Sequence, residues 1–173
     1  LTEWNTPYGI PPFDKIEEAH YLPAVEQGIR QQLEEIDAII NNPEAPTFEN
    51  TIVALDNSGE ILEKVTGVLF NVSESDASES LNAIVDKVMP MVTEHGDNIY
   101  MNADLFKRVK AVYDADQSAL TTEQKMLLKD IYNAFVDNGI ALPEEQQARL
   151  REINSELASL SLNFGNNLLD QSN

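Results

Sequence analysis

The chain has no cysteine among its 173 residues. Disulfides and thiolate metal sites are excluded, although that absence leaves the compartment open. Basic residues are scarce, 11 against 30 acidic ones, for a formal net charge of −19. A field of that sign repels phosphates, which excludes a nucleic-acid role and argues against anionic membrane surfaces. No run of about 18 apolar residues occurs, so no bilayer-spanning helix is predicted. Nor does any stretch alternate with period two over a useful length, so no strand is expected. There is no convincing internal repeat. The chain starts at Leu1 without a methionine or a signal-peptide pattern, and on that basis reads as a processed or trimmed piece.

What is present is helical periodicity, organised around Asn41 to Gly59, NNPEAPTFENTIVALDNSG. Asn41-Asn42-Pro43 ends one helix, because a proline disfavours α geometry in the residue before it. Thr47 is placed to cap the next helix with its hydroxyl, and Glu49 puts negative charge in its first turn. Phe48, Ile52, Leu55, Gly59, Leu62, Val65 and Leu69 then share one face, which predicts a single helix to about Asn71. Gly59 in that stripe would let a neighbouring backbone approach.

Ahead of this lies a segment rich in proline and aromatics, residues 1–16, with Pro7, Pro11, Pro12, Trp4, Tyr8 and Phe13. Prolines at that density forbid a helix, and aromatics are seldom left in water. The segment is expected to be an extended arm lying on a helical body of residues 17–173, a disordered tail being the alternative. The first helix is expected from about Ala19 to Ile40, with Tyr21, Val25, Ile29, Leu33, Ile36 and Ile40 inward. Pro23 suits only a first turn, which moves the expected start to Tyr21 or Leu22.

After the polar turn SESDASES (73–80), Asp76 with Glu79 resembles a capping box. It opens a third helix whose inner face is Leu81, Ile84 or Val85, Val88, Val92, His95 and Ile99. Pro90 inside it should bend it. Asn102 is expected to cap a short fourth helix bearing Leu105, Phe106, Val109, Val112 and Tyr113. Thr121 or Thr122 caps a fifth, with Leu127, Leu128, Ile131, Phe135 and Val136, closed by Gly139 in the left-handed conformation. Pro143 opens the sixth. There Leu150, Ile153, Leu157, Leu160, Phe164 and Leu168 recur at helical spacing without fading, a pattern that expects more protein to cover it. The fold expected is all-α, a multi-helix up-down bundle in one domain with the arm packed on it.

Little in the sequence carries chemistry. His20 and His95 are the only histidines, and neither begins an HExxH helix, since Tyr21 and Gly96 follow them. A zinc site would need both, with carboxylates brought in by folding. Capping or packing is expected of His20, and a partly buried hydrogen bond of His95. Residues 114–125, DADQSALTTEQK, imitate a calcium loop, but Ala119 stands where such a loop needs glycine and Lys125 where it needs a bidentate glutamate. The pairs Glu34-Glu35 and Glu144-Glu145 read as solvated helix faces. Serines between Ser58 and Ser118 have no glycine-flanked elbow or nearby histidine. Asn71-Val72-Ser73 matches a glycosylation sequon, a pattern frequent by chance. No catalytic, cofactor-binding or metal-ligating residue is expected in this segment.

Five blocks nevertheless follow one another in a recognisable order: TEWNTPYGIPPFDKI, HYLPAVEQG, NNPEAPTFENTIVAL, HGDNIYMNADLFKRVKAVY and RLREINSELASLSLNFGNNLL. Together they resemble the amino-terminal region of the M3 zinc metallopeptidases, nearer its bacterial peptidyl-dipeptidases than its oligopeptidases. The similarity covers essentially the whole chain, and PTFENT with the block order is the specific part. The resemblance implies a helical two-lobed shell around a deep channel, with zinc held in a later part of the parent chain on an HExxH helix plus a further glutamate. Those residues have no counterparts here, so no ligand or catalytic role transfers to any position. The segment would be the substrate-access lobe, with the catalytic lobe of the same chain and short peptides as its partners. A cytoplasmic location is expected, the periplasm being the alternative. The competing function is a stand-alone acidic helical module that binds a protein without catalysis. In either case the uncovered sixth helix predicts weak self-association or a mobile end beyond about Gly165.

Overall fold

A computed structural model describes residues 6–75 and 78–172. Seven α-helices account for most of them, and no strand occurs among the described residues. They are α1 (Glu18–Ile40), α2 (Ala54–Asp56), α3 (Glu60–Ser75), α4 (Glu79–Tyr100), α5 (Ala103–Tyr113), α6 (Thr122–Asp137) and α7 (Glu144–Ser172).

Cross-helix contacts set the directions. Gly28 of α1 lies against Leu62 of α3, and Gln32 bonds Ser58, so the pair is antiparallel. Glu18 meets Ser78 and Gln32 meets His95, so α1 and α4 run parallel. Asp97 meets Asn154 and Asn98 meets Arg151, so α7 returns antiparallel to α4. The up-down bundle expected from the periodicity is present.

Its interior is divided. One core gathers Ile36 and Ile39 of α1, Ile52, Ile99, the inner face of α5, and Leu128 and Phe135 of α6. Aromatic rings meet there: Tyr100 sits edge-on to Phe135 at 5.3 Å, and Tyr113 stacks on Tyr132 at 3.9 Å. The second core joins Tyr21 and Val25 of α1 to Leu62, Val65 and Leu69 of α3 and to Leu81, Val85 and Val88 of α4. Helices α1 and α4 run through both.

The caps follow the sequence closely. Asn102 accepts from the Leu105 amide at 2.9 Å, and Thr121 from Gln124 at 3.3 Å. Gly139, at φ +85°, ends α6. The Ile140 amide reaches back to the Phe135 carbonyl at 3.1 Å, closing the helix as left-handed glycine ends do. Pro143 stands one residue ahead of α7, where its carbonyl takes the Gln146 and Gln147 amides.

Several expectations are corrected. Helix α1 starts at Glu18, so Pro23 is inside it rather than in its first turn. The carbonyl that a Pro23 amide would have bonded belongs to Ala19, which is exposed and can turn to water. The second helix is not continuous. A π-helical turn, Phe48–Val53, leads into α2, and the chain breaks at Gly59, which takes φ +77° before α3 begins. Gly59 therefore serves as a break, whereas the close backbone approach occurs at Gly28. A Cβ built there would sit 2.9 Å from the Leu62 Cα.

Leu33, placed on the inner face by sequence, is substantially exposed; Gln32 takes the inward place. Helix α3 continues to Ser75. Asp76 lies outside the described residues, and the cap of α4 is Ser78, which accepts from the Leu81 amide at 3.0 Å. In the arm, Pro7–Gly9 and Phe13–Lys15 form 3₁₀ turns, and Ile16 packs on the second core. Ile10 and Phe13 are exposed, against the expectation that this apolar segment would be covered. Trp4 and the side chain of Tyr8 lie outside the described residues, as do those of Leu168 and Leu169.

Candidate functional site

Polar groups that could do work are concentrated where the two cores meet. His95, on α4, is only 4 % exposed, and its Nε2 lies 2.8 Å from Gln32 Oε1. The Gln32 amide nitrogen donates to Ser58 Oγ at 3.2 Å, which leaves its oxygen as the acceptor. The His95 Nε2 therefore carries a proton and donates to Gln32. Burial lowers its pKa below 6.5, because a charged imidazole would lose solvation there. The Ser58 hydroxyl donates in turn to the Leu55 carbonyl at 2.7 Å. Beside it, Glu35 Oε2 accepts the Gly59 amide at 2.8 Å. That carboxylate sits at the start of α3, where the helix dipole favours it. Glu35 is thus not part of a solvated face, although its neighbour Glu34 is exposed.

A second polar group fixes the loop before the π turn. Arg108 of α5 is 9 % exposed. It donates to the carbonyls of Asn42 at 3.0 Å and Glu44 at 3.3 Å, and to Asn50 Oδ1 at 3.4 Å. Its Nε is buried without a partner. Asn50 and Thr47 cap one another reciprocally at 3.1 and 2.8 Å. Arg108 follows Leu105 by three residues and precedes Val112 by four, so it lies on the apolar face. That placement was the signal the sequence offered.

The third polar region is the seam between α4 and α7. Asn154 donates to the buried Asp97 Oδ1 at 2.8 Å, and Arg151 to Asn98 Oδ1 at 2.9 Å. Hollows flank Asp97 on both sides. One is bordered by Tyr100, Asn138 and Leu157, the other by Glu94, Arg151 and Glu156. Both hollows are bordered by hydrogen-bonding side chains, donors and acceptors alike.

The two histidines are not brought together. His20 is exposed at the start of α1, and its Nδ1 accepts the Glu17 amide at 3.1 Å, the capping role expected of it. Gln32, the partner of His95, lies twelve residues further along the same helix, about 18 Å at 1.5 Å per residue. A catalytic zinc takes about three protein ligands. Each histidine already has one ring nitrogen engaged, and no cluster of three or more His, Asp or Glu suited to a metal occurs among the described residues. The described residues do not fit a zinc ion.

The other candidates are placed in structural roles. Asp114 pairs with Lys110 one turn earlier, and Asp116 accepts from the Ser118 amide and hydroxyl at 2.9 and 2.7 Å. Those bonds hold the Asp116 carboxyl below its usual range. Asn71 is within α3 and donates to the Gly67 carbonyl at 2.7 Å. Glu144 and Glu145 are exposed in the first turn of α7.

No known family profile matches the chain. Individual proteins do. It is 38 % identical over 170 residues to a dipeptidyl carboxypeptidase of Salmonella typhimurium, an alignment that takes in 98 % of this chain and 25 % of that protein. It is 28 % identical over 166 residues to oligopeptidase A of Escherichia coli, with 95 % and 24 % covered. A thimet-like oligopeptidase of Dictyostelium discoideum is 23 % identical over 175 residues, with 98 % and 25 % covered. The chain therefore spans about a quarter of the length of the relatives it matches.

Proposed function

This chain is a homologue of the amino-terminal region of the M3-type peptidases, and we propose that it serves such an enzyme as a single helical substrate-access domain. In this reading residues 6–16 form an arm on a helical body, and the body walls one side of a cleft that admits short unfolded peptides and excludes folded proteins. The observation that carries it is the alignment, which takes in 98 % of this chain but 25 % of its relative. An M3-type parent would use zinc to activate water for peptide hydrolysis, with its ligands outside these residues. What this chain supplies is shape and polarity. The groove around Asp97 offers donors in Arg151 and Asn154 and acceptors in Glu94 and Glu156, enough to line a path for a peptide backbone. A cytoplasmic location fits this reading, with the periplasm as the alternative. No described helix is long and apolar enough to cross a membrane.

The test compares the full product of the gene with the 173-residue chain. The full product is expected to contain an HExxH segment, to bind zinc stoichiometrically and to cut short fluorogenic peptides in a chelator-sensitive way. The 173-residue chain alone is expected to do none of these. A gene that stops after Asn173, or a full product without peptidase activity, would favour the acidic protein-binding module instead.

A further inference from the structure

Helix α7 meets the bundle through Arg151, Asn154 and Leu162 and turns a second apolar stripe outward. Ile153, Leu157, Leu160 and Phe164 follow one another at helical spacing and are 36, 55, 62 and 70 % exposed. Exposure climbs steadily toward the carboxyl end. The helix does not need this stripe to stay attached, because Arg151 and Asn154 bond α4 and Leu162 packs on the second core from the side of the helix opposite the stripe. From Ile153 to Phe164 the stripe runs about 16 Å. Contiguous large apolar side chains in water mark a contact surface. A helix that merely completed a bundle would turn its stripe inward.

Length and charge indicate what covers it. A second copy would bring together two chains of net charge −19, with Glu152 and Glu156 within a turn of the stripe. The relatives, by contrast, have three-quarters of their length outside the matched part. A segment of the same polypeptide meets the stripe at high effective concentration.

We infer that the Ile153–Phe164 stripe is the docking face for the remainder of the same chain, which presents it with an apolar, non-acidic surface. The inference rests on the reading of this segment as one part of a longer peptidase.

The experiment is hydroxyl-radical footprinting of the full gene product, with Phe164 and Leu160 compared against a peptide of residues 150–172. Modification of both is expected to be slowed roughly fivefold or more, as for side chains withdrawn from water. Modification within about twofold of the peptide would overturn the inference. So would protection that disappears on dilution, which would assign the face to a second copy, or a gene that ends at Asn173. A second measurement uses Leu160→Asp with Phe164→Asp in the full product. Hydrogen exchange is expected to rise in a segment outside residues 1–173, and unchanged exchange there would also overturn the inference. Peptide cleavage by the unsubstituted sample separates the two readings. An active protein with Phe164 exposed refutes the docking face alone. An inactive one with Phe164 protected refutes the peptidase reading and leaves the docking face standing.

Discussion

Helices α4 and α7 carry apolar residues at the same spacing, yet they treat them in opposite ways. In α4, Leu81, Val85, Val88 and Ile99 are buried, and the first three close the second core. In α7 the equivalent stripe faces water, while Arg151, Asn154 and Leu162 on the opposite side make the contact. Periodicity identifies which face of a helix is apolar. It does not say whether the surface that covers this face belongs to the same folded unit. The contrast can be broken or sharpened by substitutions on its two sides.

The largest effect is expected deep in the aromatic core. Phe135 is fully buried, with Tyr100 and Phe106 rings at 5.3 and 5.5 Å. Phe135→Ala should destabilise the chain by about 3–5 kcal/mol, through lost transfer energy and the cavity left behind. Chemical denaturation of the 173-residue chain checks this. A loss below about 1 kcal/mol would mean that this core is no better packed than the exposed stripe.

A smaller effect is expected where α1 crosses α3. A methyl group at position 28 would press on Leu62 backbone 2.9 Å away. Gly28→Ala gains helix propensity, but the clash involves main chain that cannot swing aside. A net loss of about 1–3 kcal/mol is expected, the range for overpacking. A stabilised variant would show that the two helices can part at no cost.

The polar junction between the cores should appear as a pH dependence. Free imidazole takes its proton near pH 6.5, and burial holds the His95 value lower. Between those values the unfolded state binds more protons than the folded one, so stability falls as the pH falls. The contribution of neutral His95 is complete above 6.5 and is lost as the pH drops through the folded value. Glu35 and Glu94 stand near this junction, and the chain's acidic charge is also relieved on acidification, so the comparison must be differential. The melting temperature of the parent should fall more steeply from pH 7 to 5.5 than that of His95→Gln. Equal slopes would remove His95 as a titrating element.

Most of the helices, their caps and the up-down order were legible because they rest on local chemistry. Thr47, Asn102, Thr121 and Gly139 announce themselves by residue type. The errors came where tertiary contacts overrode that chemistry. Leu33 looked inward because it is apolar, but Gln32 sits on the true 25-28-32-36-39 face and is kept there by His95. Glu35 resembled a surface charge until the Gly59 amide needed an acceptor. Arg108 interrupts an apolar face because the Asn42 and Glu44 carbonyls, distant in sequence, end up beneath it. None of these partners lies within a helical turn of the residue it constrains, so a local pattern could not name them. The polar seam of α7 with Asp97 was missed for the same reason.

The smallest expected effect is the most informative for α7. Leu160 is 62 % exposed, so Leu160→Ser removes little buried surface from the 173-residue chain. A change within about 0.5 kcal/mol is expected, as for surface positions generally. Leu162, two residues on, faces the second core instead, and Leu162→Ser should cost measurably more because it withdraws a partly buried side chain from that core. The two substitutions have the same chemistry and nearly the same place in the chain, so helix propensity and end-fraying cancel between them. Only the side of α7 differs. Equal losses would mean that α7 rolls to bury whichever stripe is available. A loss confined to Leu162 would fix the helix in the orientation described, with the Ile153–Phe164 stripe left for a surface outside this segment.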